Sequence, residues 1–154
     1  MFLFENVRGL LTHNGGKTYK IMLNIFEKAG YTIDKKVLNA WNYGVPQKRE
    51  RLITIGIRND LKNTITFSFS KEHDCKSVLR DILLDCPEGP GVPYGEKKRK
   101  IFELVPPGGY WRDIDPAIAK EYMKSCWNME GGRTGILRRM SLDEPSLTVL
   151  NLRH

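Results

Sequence analysis

Glu5 follows the apolar run Phe2-Leu3-Phe4, so it is expected at the C-terminal mouth of a strand, just ahead of a loop holding His13, Asn14, Gly15 and Gly16. A carboxyl group can donate a hydrogen bond when protonated and accept one when ionised, which equips it for acid–base or hydrogen-bonding work. Gln47, Arg49 and Arg51 form a second constellation, leading into the β-branched run Leu52-Ile53-Thr54-Ile55-Gly56-Ile57. Arg49 and Arg51 are spaced i, i+2, so on a strand they share a face, and Lys48 and Glu50 point away. The planar guanidinium fork suits phosphates and carboxylates better than an ammonium does. A third group, Arg133, Thr134, Arg138 and Arg139, follows Gly131-Gly132 and offers contacts to phosphates or base edges. Each group also has a plainer reading. Glu5 alone is a capping carboxylate, and exposed arginines commonly make weak surface ion pairs.

Two other patterns fail on inspection. Gly16-Lys17-Thr18 resembles the end of a phosphate loop, but the required earlier glycine falls at Leu11. Gly89-x-Gly91 has no strand before it and a proline inside. His73, Cys75 and Cys86 lack the spacing of zinc ligands. Three cysteines without paired spacing argue against a disulfide scaffold and fit a reducing compartment.

The elements that would position these groups follow from periodicity. Phe2-Leu3-Phe4 reads as a buried strand. From Thr18 to Ala29, Ile21, Met22, Ile25, Phe26 and Ala29 recur at helical spacing, and Gly30 stops the helix. Residues 31–40 alternate as a second strand, 41–49 form a loop, and Leu52–Ile57 a third strand. Beyond Arg58 the elements shorten. Ile65-Thr66-Phe67 reads as a short strand, Ser77–Leu84 and Lys97–Leu104 as helices, and residues 87–95 as a loop. Pro116–Lys124 reads as a helix with proline in its first turn, and Pro145–Leu150 as a final strand. Tyr110 and Trp111 read as core packing.

Hydrophobic residues make up 40% of the 154 and charged residues 28%, which excludes full disorder. No apolar run approaches the ~18 residues of a membrane span, and the acidic Glu5 comes too early for a signal-peptide core, so a cytoplasmic protein without a membrane partner is expected. The net charge of +7 suits a polyanionic partner. It is concentrated: residues 1–58 hold ten Lys and Arg against four Asp and Glu.

Phe4-Glu5-Asn6-Val7-x-Gly9-Leu10 and Leu38-Asn39-Ala40-Trp41-Asn42-Tyr43-Gly44-Val45-Pro46-Gln47-Lys48-Arg49-Glu50-Arg51 together closely resemble two conserved motifs of the bacterial DNA cytosine-5 methyltransferases: the E-N-V signature, and Q-x-R-x-R after G-[VI]-P. Residues 105–113 and 131–148 resemble, more loosely, the variable target-recognition region. The resemblance implies an α/β fold: the C-terminal part of a Rossmann-like methyltransferase sheet followed by a small irregular α+β recognition domain. It further implies a partial catalytic domain at 1–58, a connector at 59–75 and an incomplete recognition domain at 76–154.

The implied chemistry is base flipping on duplex DNA, with S-adenosyl-L-methionine as methyl donor. A cysteine thiolate attacks carbon 6 of the extruded cytosine, and the methyl group goes to carbon 5. By resemblance Glu5 holds ring nitrogen 3 and the exocyclic amine, Arg49 and Arg51 lie at the active-site floor, and Gln47, Arg133, Thr134, Arg138 and Arg139 face DNA. The family's P-C-Q nucleophile segment and its glycine-rich cofactor motif do not occur in these 154 residues. The expectation is therefore a fragment of a restriction–modification enzyme, inactive alone. The alternative is a non-enzymatic DNA-binding or complementing subunit that works with an upstream methyltransferase fragment.

Overall fold

The computed structural model describes residues 1–83, 93–128 and 135–148. The described residues divide into two compact units, the first being Met1–Ser77 and the second beginning at Val78.

The first unit is a three-stranded sheet with one helix. β1 (Phe2–Val7) leads through short 3-10 turns to α1 (Lys17–Lys28). β2 (Tyr31–Asn39), the two-residue β3 (Gln47–Lys48) and β4 (Glu50–Arg58) follow. Gly30, at φ +84°, turns the chain from α1 into β2, a conformation that strains any residue with a Cβ. The sheet order is β1-β4-β2. β4 is antiparallel to β1, from Phe2↔Gly56 to Val7↔Arg51, and antiparallel to β2, from Tyr31↔Arg58 to Asn39↔Glu50. β1 and β2 therefore run parallel, joined by the crossover helix α1, and the reversed strand β4 lies between them.

Strand alternation sorts the side chains. Phe2 and Phe4 share one face with Gly56, Thr54 and Leu52. Helix α1 contributes Tyr19, 3% exposed, and its hydroxyl hydrogen bonds to Thr54 Oγ1 at 2.7 Å in the interior. The Phe2 ring packs against Phe26 and Tyr31 at centroid distances of 4.8 and 5.1 Å. It fills the space over Gly56, where a Cβ would lie 2.0 Å from a ring carbon. Leu3, Glu5 and Val7 lie on the opposite face with Ile55, Ile53 and Arg51.

In the second unit, α2 (Glu96–Leu104), α3 (Pro116–Met123) and β5 (Ser146–Leu147) accompany 3-10 turns. Asp115 caps α3 by accepting the Ala117 N–H at 2.7 Å, and Pro116 occupies the first turn, where no N–H is needed. The core gathers Ile101, Val105, Trp111, Ile114, Ala119, Met123 and Leu137.

Two expectations fail here. Residues 65–67 form no strand. The described part of Ser77–Leu84 makes only a 3-10 turn at Leu79–Asp81. The Asp81 and Ile82 N–H groups bond three residues back, to Val78 O and Leu79 O, and close one tight turn, while Leu79 and Arg80 donate to Glu144 O and Leu142 O and tie that turn to a distant segment.

Candidate functional site

Glu5 comes from β1 and Arg51 from β4. Val7 stands directly opposite Arg51, so Glu5, two residues before Val7, is the diagonal same-face neighbour. Arg51 Nε meets Glu5 Oε1 at 2.8 Å. Arg51 Nη1 donates to its own neighbour's carbonyl, Glu50 O, at 2.8 Å, so the guanidinium is held from two sides. The Arg51 side chain is 21% exposed and that of Glu5 49%. Arg51 thus fixes a carboxylate that keeps half its surface open to solvent. Next to it, Arg8 pairs with Glu50 at 2.9 Å, and this hydrogen bond raises the Arg8 pKa. At the end of β1, Asn6 Oδ1 accepts the Val7 N–H at 2.8 Å and shapes the turn. A cavity of about 310 Å³ opens there between Asn6, Val7, Leu10, His13 and Thr18.

The loop that delivers Arg51 is tied at its neck. Asn39 Oδ1 accepts the N–H groups of both Trp41 and Arg49 at 3.2 Å. Ala40 donates to Arg49 O at 3.0 Å, and the turn closes through Val45 N–H to Ala40 O, with Gly44 at φ +84°. The Trp41 indole N–H binds Ser77 O at 2.8 Å. The Lys48 and Lys76 ammonium groups stand 5.2 and 4.7 Å from its ring centroid. Asn39 was missed from sequence, although an Asn at a strand end before a turn is a recognisable signal for such backbone capture.

The structure brings Glu5 and Arg51 together. Arg49 lies one residue ahead of β4, with its N–H on Asn39 Oδ1 and its carbonyl accepting the Ala40 N–H. Gln47 sits in β3 with its N–H on Val45 O at 2.7 Å. In the second unit Arg138 is exposed, while Arg139 Nη1 is engaged by Val105 O at 2.9 Å. Arg133, Thr134 and Cys86 lie outside the described residues. No cluster of His, Cys, Asp and Glu among the described residues could hold a metal, and no described helix is long and apolar enough to cross a membrane.

The pair is a half-open carboxylate oriented by an arginine, on a strongly basic unit. Comparison with known proteins gives the family. The C-5 cytosine-specific DNA methylase family matches residues 1–108, and the chain belongs to that family. It is 48% identical over 150 residues to the type II methyltransferase M.Sau96I of Staphylococcus aureus, covering 96% of this chain and 35% of that protein. It is 45% identical over 157 residues to the type II methyltransferase M.Eco47II of Escherichia coli, covering 97% of this chain and 38% of that protein. The chain therefore spans little more than a third of the length of these relatives. A crystal structure of a prophage-encoded DNA modification methyltransferase from E. coli shares the fold, with a TM-score of 0.53 and 19% identity over 96% of this chain and 51% of that one. The methyl donor of the family is S-adenosyl-L-methionine.

Proposed function

We propose that these residues supply the base-holding and DNA-facing part of a type II restriction–modification DNA cytosine-5 methyltransferase, and that Glu5 is the carboxyl group that grips the flipped cytosine. The observation that carries this is the 2.8 Å Glu5–Arg51 pair on one sheet face, with the carboxylate half-exposed. The β1-α1-β2 crossover with parallel strands supports reading the first unit as the C-terminal part of a Rossmann-like sheet, and the loop-rich second unit as a recognition domain.

In this reading Glu5 engages ring nitrogen 3 and the exocyclic amine once the base has left the stack. Arg51 orients it, and the resulting hydrogen bonds favour the ring form activated at carbon 6. The basic residues of the first unit lie along the backbone; their phosphate contacts supply affinity and register without sequence information. The glycine-rich cofactor motif is absent from these 154 residues, so no residue is assigned to S-adenosyl-L-methionine. The attacking thiolate likewise needs a P-C-Q segment from outside this sequence. A cytoplasmic location belongs to the same reading.

The test is transfer of labelled methyl groups from S-adenosyl-L-methionine to DNA. The purified 154-residue chain should give no turnover alone and should gain it when combined with a methyltransferase segment that bears P-C-Q and the cofactor motif. Robust turnover by the chain alone would refute this division of labour.

A further inference from the structure

The last part of the first unit, residues 70–77, forms neither helix nor strand, yet it is strapped to the turn that follows β2. The two segments meet in reverse order. Ser70 O accepts the Tyr43 hydroxyl at 3.4 Å, and the Glu72 carboxylate accepts the Asn42 side-chain amide at 2.9 Å. The His73 N–H donates to Asn42 O, and the Trp41 indole N–H donates to Ser77 O, both at 2.8 Å. The His73 ring stands over Gly44, where a Cβ would come within 3.3 Å of Nδ1, so a larger residue there would push the strap away.

The strapped turn is also the neck of the loop that delivers Arg51. The Trp41 backbone N–H and the Arg49 N–H share one acceptor, Asn39 Oδ1, each at 3.2 Å. That is the long limit of an ordinary N–H···O bond, so a small displacement of Trp41 is felt at once by Arg49. Two residues on, the Arg51 guanidinium rests on Glu50 O and on the Glu5 carboxylate. The path from the indole to Glu5 therefore runs through one shared side-chain oxygen and the first residues of β4.

The strap stands outside the sheet ladders. The β2–β4 register ends at Asn39↔Glu50 and the β1–β4 register at Val7↔Arg51, so neither includes Trp41 or residues 70–77. Separate side-chain bonds of this kind can be loosened while the strands stay paired, which is what a device for fine placement requires and a strut for the fold does not.

We propose that Trp41 is a positioning residue for the Glu5–Arg51 pair: by holding Ser77 it clasps the strap onto the turn, and the clasped turn keeps the Asn39–Arg49 neck closed while Arg51 reaches Glu5. The part this plays in methyl transfer rests on Glu5 holding the base; the link between indole and guanidinium rests on the geometry alone.

The test has two readouts. The first is solvent exchange of the Arg51 Nε–H in the full chain, by nitrogen-15 NMR at mildly acidic pH, with the signal identified by its loss in Arg51→Lys. Trp41→Phe keeps a ring between Lys48 and Lys76 and removes only the donor. It should speed that exchange roughly three- to tenfold, the factor one ordinary hydrogen bond is worth, with the β4 backbone signals unmoved. Glu72→Ala should act in the same direction, and Glu72→Gln, which keeps an acceptor for Asn42, should match the wild type. Unchanged Arg51 exchange in Trp41→Phe overturns the proposal whatever Glu5 does; if that variant does not fold, Glu72→Ala against Glu72→Gln decides in the same way. The second readout is turnover in a chimera that carries these residues within M.Sau96I. Trp41→Phe should lower kcat by a similar factor with the KM for DNA unchanged. Faster exchange with full turnover, in a chimera that Glu5→Gln disables, would overturn the positioning role and leave the base-holding reading intact. Full turnover in Glu5→Gln itself would sink the base-holding reading, and the role of Trp41 in the reaction with it.

Discussion

Replacing Glu5 by Gln keeps the shape of the side chain and removes the charge that faces Arg51. The pair is short, 2.8 Å, but Glu5 is half-exposed and Arg51 about one-fifth exposed, so solvent screens much of the attraction. Pairs in this setting couple by about 0.2–1 kcal/mol. Arg51 also keeps its bond to Glu50 O, so the variant leaves no buried charge without a partner. Glu5→Gln should therefore lower stability by at most about 1 kcal/mol. If Glu5 works as an acid–base group, the loss of catalysis in an active assembly should be 10²- to 10⁴-fold, or roughly 3–5 kcal/mol in the barrier. The two magnitudes separate a functional pair from a structural strut. The assay is a double-mutant cycle of Glu5→Gln and Arg51→Met by urea denaturation. A coupling energy above about 2 kcal/mol would refute the reasoning, because the pair would then be holding the sheet together.

Tyr19→Phe removes a buried hydroxyl from its 2.7 Å bond to Thr54 and leaves a polar atom on the fully buried threonine, which should cost about 1–3 kcal/mol in a urea melt, with much of the loss recovered in Tyr19→Phe/Thr54→Val. Gly56→Ala drives a methyl group into the Phe2 ring, itself packed between Phe26 and Tyr31, and should destabilise by about 1–3 kcal/mol; Phe2→Leu in the same chain should recover part of it. Arg58 and Arg80 hydrogen bond Asp60 and Asp143 and hold both carboxyl groups below their ordinary pKa. Their small contribution to stability is therefore complete above the ordinary carboxylate pKa and is lost as pH falls through the folded-state values. An NMR titration should show Asp60 returning upward in Arg58→Ala while Asp143 does not move.

The elements of the first unit were legible because each carries its own period. Ile21, Met22, Ile25 and Phe26 mark α1, and the β-branched run after Arg51 marks β4. Glu5 and Arg51 were legible as a site only through the motifs around them. Their contact depends on the β1–β4 register, a non-local property that no window of sequence contains. The apolar spacing of Ser77–Leu84 suits a helix, yet its described part closes only one 3-10 turn, tied through Leu79 and Arg80 to residues 142–144, a contact more than sixty positions away. Arg49 and Arg51 share a sequence spacing, yet β4 begins only at Glu50, so Arg49 is taken by the Asn39 knot through its backbone.

Glu5 as the group that holds the base is tested most directly by a chimera. These 154 residues would replace the matching segment of M.Sau96I, to which they are 48% identical over 150 residues, and methyl transfer from labelled S-adenosyl-L-methionine would be measured with and without Glu5→Gln. The prediction is an active chimera whose turnover falls about 10²- to 10⁴-fold in the variant, with duplex affinity nearly unchanged. An active chimera that tolerates Glu5→Gln at full turnover would contradict the account.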